Sequence, residues 1–84
     1  MMLNRKKKID QRILGEVLKA AREERGLPHE VLAEVVCLTN RHIKELEDAD
    51  TFLTFYSMAI KIQAAKRVGH YLGLSEDQYL KSTE

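Results

Sequence analysis

Cysteine is nearly absent. With Cys37 alone, no internal disulfide can staple the chain, and a reducing cytoplasm is the expected setting. Proline occurs once, at Pro28, glycine four times, and runs of β-branched residues not at all, a composition that favours helices. No apolar stretch approaches the about 20 residues of a membrane span, and no apolar signal core follows the basic residues near the start. A glycine-rich phosphate loop is missing, no serine or cysteine stands beside a histidine base, and the carboxylates are scattered, so neither catalysis nor a cofactor is expected. His29, His42 and His70 fall in separate segments at no ligand-like spacing, and Cys37 occupies a turn position that is usually buried. No metal is expected.

What remains is an ordinary folded composition, 44% hydrophobic and 32% charged, in 84 residues, enough for one domain with a modest core. The net charge of +1 conceals an uneven distribution. Arg5, Lys6, Lys7 and Lys8 give the first eight residues +4, residues 9–26 balance to zero, residues 27–50 sum to −4, and residues 51–84 return to +1. Residues 1–8 lack hydrophobic periodicity and read as a flexible basic arm, with residues 9–84 as the domain.

Apolar spacing predicts five helices and no strands. Ile13, Leu14, Val17, Leu18 and Ala21 place a first helix over residues 10–25, stopped by Gly26 in a left-handed conformation. A second starts near Pro28 and ends near residue 36, and a third covers residues 40–48. A longer fourth covers residues 55–72, with Ala59, Ile60, Ile62, Ala64, Ala65 and Val68 as its apolar positions and Gly73 after it. Ser75-Glu76-Asp77-Gln78 is a capping-box pattern that opens a last short helix carrying Tyr79 and Leu80.

The segment of about residues 28–48 has the pattern of a helix-turn-helix. Leu32, Ala33, Val36, Leu38, Ile43 and Leu46 supply the apolar contacts between two short helices, and Thr39 is placed to cap the second. Asn40, Arg41, His42 and Lys44 then open a helix of the kind that enters the major groove of double-stranded DNA, where Arg pairs with guanine and Asn with adenine. His29, near a helix N-terminus, can donate to a phosphate. The Arg5, Lys6, Lys7, Lys8 arm suits secondary contacts to a phosphate backbone, an anionic membrane surface, or the solubilising of the chain. Lys61, Lys66 and Arg67 read as a solvated helix edge or a second phosphate-facing patch.

Leu14-Gly15-Glu16-Val17-Leu18-Lys19-Ala20-Ala21-Arg22-Glu23-Glu24-Arg25-Gly26-Leu27 resembles the opening helix of the lambda-repressor-like (XRE-type) helix-turn-helix superfamily, and within it the RodZ-like domain at the cytoplasmic end of bacterial cell-shape proteins. Ala33, Leu38, Ile43, Leu46 and Glu47 match the repressor-like core positions, and Phe52 and Tyr71-Leu72-Gly73-Leu74 fit the family's end. The resemblance covers about residues 13–80. It implies an all-α, five-helix, lambda-repressor-like helix-turn-helix domain in which Glu47 ties the third helix to the first through Arg22 or Arg25. The chain departs from the pattern in three places. His29 stands where repressors have a phosphate-holding glutamine and Cys37 where they have a turn glycine. Phe55, Tyr56 and Met58 occupy the loop where RodZ-like domains have prolines before the helix that meets an actin-like filament.

Two functions follow as expectations. One is DNA binding, as a bacterial transcriptional regulator that reads the major groove from near Thr39. A homodimer or an extra domain would then supply operator-level affinity. The other is a RodZ-like protein-interaction domain with no specific DNA binding. It is favoured by the −4 segment and by Phe52, Phe55, Tyr56 and Met58 at the loop before the fourth helix and on that helix, read as an exposed apolar partner surface. The alternative is that these four fill the domain's own core and pin that loop to it. No small-molecule substrate is implied. Either protein is expected in the cytoplasm, free or as the cytoplasmic part of a longer membrane-anchored chain.

Overall fold

The computed structural model describes residues 11–48 and 55–82. In chain order it contains β1 (Gln11–Ile13), α1 (Gly15–Glu24), α2 (His29–Val35), α3 (Asn40–Glu47), α4 (Met58–Tyr71), α5 (Glu76–Tyr79) and β2 (Leu80–Ser82). The architecture is mostly helical, and among the described residues no helix is long and apolar enough to cross a membrane. The basic arm of Arg5, Lys6, Lys7 and Lys8 and the aromatic Phe52 lie outside the described residues.

The strands correct the expectation of helices alone. β1 pairs antiparallel with β2 in the register Gln11↔Ser82, Arg12↔Lys81 and Ile13↔Leu80, and the ladder continues in Leu14 N–H donating to Tyr79 O at 2.7 Å. Residues 11–14 thus lie before α1 rather than within it, and Leu80 belongs to β2 rather than to the last helix. A three-residue strand has too few positions to show a period of two, and its hydrogen bonds come from the far end of the chain. Ile13 is buried from a strand, where helical spacing had also pointed it inward.

α1, α2 and α4 end in the same way, and the sequence explains why. In each, two N–H groups turn back onto the last carbonyls: Leu27 to Arg22 and Gly26 to Glu23, Leu38 to Ala33 and Cys37 to Glu34, Leu74 to Gly69 and Gly73 to His70. This is the Schellman arrangement, with a left-handed residue followed by an apolar one. Leu27, Leu38 and Leu74 all pack against the core from this position. Gly26 (φ +67°) and Gly73 (φ +77°) adopt the left-handed region freely, but in α2 the same place is taken by Cys37 at φ +61°. A side chain there costs about 1–2 kcal/mol, part of which glycine returns through its freer unfolded chain. Cys37→Gly should raise the stability to urea by about 1 kcal/mol, read as a higher midpoint at unchanged slope. Contrary to expectation, Cys37 is exposed: the left-handed turn buries its neighbours Val36 and Leu38 and leaves Cys37 at the bend.

The core joins all five helices. Leu18 of α1, Leu32 of α2, Ile43 and Leu46 of α3, Val68 of α4 and Tyr79 of α5 are each essentially inaccessible. Two glycines set how closely the elements approach. A Cβ at Gly15 would stand 2.7 Å from Leu46 O and closer still to the Glu47 carbonyl, so α1 begins directly against the end of α3. A Cβ at Gly69 would stand 2.6 Å from the Tyr79 hydroxyl oxygen and closer to its ring. α4 differs from its expected face in two ways. It starts later, at Met58, with Ser57 Oγ accepting from Ile60 N–H at 3.2 Å, and Ala59 and Ile60 are exposed. Lys61, expected in solvent or at a phosphate, is 1% exposed, because it shares the inward face with Ala64, Ala65 and Val68.

Burial, reinforced by the charge of Glu76, raises the Tyr79 phenol above the usual 10.0. The unfolded chain loses this proton at the ordinary value while the native chain keeps it. The contribution is thus intact below about pH 10 and lost as pH rises toward the native value. Stability to urea should fall progressively above pH 10, and Tyr79→Phe should flatten that fall; an equal alkaline slope in both proteins would contradict the assignment.

Candidate nucleic-acid interface

Thr39 and the first turns of α3 present a shallow depression of about 670 Å³, lined by Thr39, Asn40, Arg41, His42 and Lys44. Five of the six residues expected to touch DNA therefore come together at the start of α3. Thr39, Asn40, Arg41 and Lys44 are exposed. Among the described residues, neither Arg41 nor Lys44 enters an ion pair within the protein.

The start of α3 is held by a reciprocal cap. Thr39 Oγ1 accepts from His42 N–H at 3.2 Å, and His42 Nδ1 accepts from Thr39 N–H at 3.2 Å. The more usual partner in this box is Glu or Gln; here an imidazole serves, and its ring also lies 4.7 Å from the Phe55 ring at 43°. His42 is accordingly half-buried, a fixed wall of the depression. Its capping role was not visible beforehand, although the Thr39-to-His42 spacing was the available signal.

α3 is oriented from its other end. Arg22 of α1 donates to both Glu47 carboxylate oxygens, Nε to Oε2 at 2.6 Å and Nη2 to Oε1 at 3.2 Å, and its Nη1 donates to Leu27 O at 2.8 Å. Both side chains are 8% exposed. The hydrogen bond to Glu47, against a smaller opposing effect of burial, raises the Arg22 guanidinium further above its usual value, so it stays charged. His29 Nε2 lies 3.1 Å from Glu47 Oε1. His29, expected at a phosphate, has its Nε2 turned to Glu47, where α2 joins α1 and α3. Of the two proposed partners for Glu47, Arg22 takes the position. Arg25 instead donates to Leu72 O at 3.2 Å and lies 6.0 Å from the Tyr71 ring centre.

Two acidic side chains of the segment are turned inward, while Glu30, Glu34 and Asp48 are exposed. Glu45 is 4% exposed, at 3.5 Å from Phe55 N, and Glu47 is matched by Arg22. The −4 sum of residues 27–50 therefore overstates the negative charge on the surface that carries Asn40, Arg41 and Lys44.

Comparison with protein families, with curated proteins and with solved structures finds no match.

The expected apolar partner surface is only partly present. Phe55 is 7% exposed and belongs to the core, since the loop before α4 turns it under His42, and Phe52 lies outside the described residues. Tyr56 is 94% exposed, with Met58 and Ile60 also outward. Lys66 lies 3.9 Å from Glu76, and Arg67 donates to Val36 O at 3.0 Å, so these two bind elements together. A second depression of about 470 Å³, which sequence reading missed, lies between the end of α2 and α4 and is lined by Val35, Val36, Cys37, Arg67, His70 and Tyr71. Its only prior signal was that Val35 falls off the inward face of α2. Among the described residues no three metal-ligating side chains gather.

Proposed function

We propose that this chain is a lambda-repressor-like helix-turn-helix domain that binds double-stranded DNA, as a bacterial transcriptional regulator working in the cytoplasm. α3 lies in the major groove, with Asn40 and Arg41 at base edges and Thr39 and Lys44 at the backbone. The observation that carries the reading is the cluster of exposed Asn40, Arg41 and Lys44 at the capped start of α3, with the acidic Glu45 and Glu47 turned inward. The basic arm of Arg5, Lys6, Lys7 and Lys8 adds phosphate contacts, and a second copy supplies the paired half-site. His29 is left out of the contact set because Glu47 holds its Nε2.

The test is selection from a randomised duplex pool at two salt concentrations, followed by anisotropy on the enriched sequence. Arg41→Ala should weaken that complex by about 1–3 kcal/mol and relax the preference at one base pair. Weak binding that enriches nothing and disappears with salt would contradict the reading and leave only phosphate contacts. The second reading, a protein-interaction domain of RodZ-like type, is favoured by the 94% exposure of Tyr56 beside Met58 and Ile60. Tyr56→Ala should leave the selected DNA sequence and its affinity unchanged if DNA is the ligand.

A further inference from the structure

The cap on α3 fixes more than the helix. A backbone N–H can only donate, so the His42 Nδ1 that receives Thr39 N–H at 3.2 Å must carry a lone pair. Thr39 Oγ1, 3.0 Å from the same nitrogen, can donate to it as well. Neutral His42 therefore carries its proton on Nε2. A half-turn of the ring about Cβ–Cγ would put Cδ2 in the place of Nδ1 and lose the cap. A histidine free in solution samples both tautomers and can donate or accept. This one is held as a donor beside Asn40 and Arg41 in the same depression.

We infer that His42 is a specificity-determining residue, presenting Nε2–H to an acceptor atom on a base edge in the major groove, guanine above all. The inference rests on the DNA-binding proposal and deepens it. Guanine offers two acceptors, N7 and O6, to a single donor, whereas cytosine offers only its N4 amino donor and would set donor against donor. Capping and base selection are thus one device: Thr39 chooses the tautomer, and the tautomer chooses the base.

Two measurements test this on the full chain. Long-range proton–nitrogen correlation spectra of the free protein, at a pH where the ring is neutral, should show the bare nitrogen of His42 at Nδ1. A proton on Nδ1 overturns the inference without any variant. Selection from a randomised duplex pool then compares the wild type with His42→Asn, whose amide oxygen can take the place of Nδ1 in the cap but carries no group at the Nε2 position. The wild type should prefer guanine over cytosine at one position by about tenfold, and the variant should enrich the same motif with that preference lost. An unchanged motif in the variant overturns the role of His42 alone. Enrichment of nothing by the wild type overturns it together with the DNA-binding proposal.

Discussion

Glu47→Ala should lower the stability of the domain by about 3–5 kcal/mol, enough to unfold much of a domain whose total is of order 5–15 kcal/mol. The carboxylate is the shared acceptor of Arg22 and His29, so one truncation releases the links from α3 to both α1 and α2. The larger cost falls on Arg22. Its side chain is 8% exposed, and without Glu47 a permanently charged guanidinium remains buried with Leu27 O at 2.8 Å and the exposed Glu23 carboxylate no nearer than 3.8 Å. Removing both partners should be milder than removing one. Arg22→Met with Glu47→Leu replaces the pair by apolar groups of similar volume and strands no charge, so the double variant should be more stable than Glu47→Ala. Urea unfolding of the wild type, Glu47→Ala, Arg22→Met, Glu47→Leu and the double variant measures this. Additive losses in the double variant would show that the pair is not the source of the effect.

The second large effect is expected at Gly15. Gly15→Ala adds one carbon where α1 meets the last carbonyls of α3, 2.7 Å from Leu46 O and closer to Glu47 O. These are backbone atoms, which cannot swing aside as a side chain would. One helix must shift against the other, at a cost of about 3 kcal/mol or more, even though alanine is the better helix former by about 1 kcal/mol. The same displacement moves Glu47, so the Arg22 bridge should suffer with it. Gly26→Ala supplies the contrast: nothing lies within 4 Å of its added carbon, and only its φ of +67° opposes the change. Its loss should be about 1–2 kcal/mol. Equal losses at the two glycines would contradict the close-approach argument.

Features written locally in the chain were legible. The left-handed stops at Gly26 and Gly73, the Thr39 cap and the Ser75 N–H donating to Gln78 at 2.8 Å each depend on residues within a few positions of one another. The apolar contacts of the α2–α3 pair were equally readable, because helical periodicity alone turns Leu32, Val36, Ile43 and Leu46 inward. What failed was set by distant segments. The strand at residues 11–13 exists only because residues 80–82 arrive beside it. Phe55 looked exposed because a loop aromatic carries no periodicity, and Lys61 looked solvated because charge outweighed its position on the α4 face. The candidate interface was misread in one further way: summing charge along residues 27–50 treated Glu45 and Glu47 as surface groups. Their side chains are inside, so the sum overstates the negative charge of a surface that still carries Glu30, Glu34 and Asp48.

Amide chemical-shift mapping of the labelled chain with the duplex that selection enriches tests the central claim most directly. The account predicts shifts concentrated at residues 39–44, absent from the surface of Tyr56, Met58 and Ile60, and saturating only at a higher duplex concentration in Arg41→Ala. Shifts centred on Tyr56 and α4, or none at residues 39–44 under saturating duplex, would contradict it.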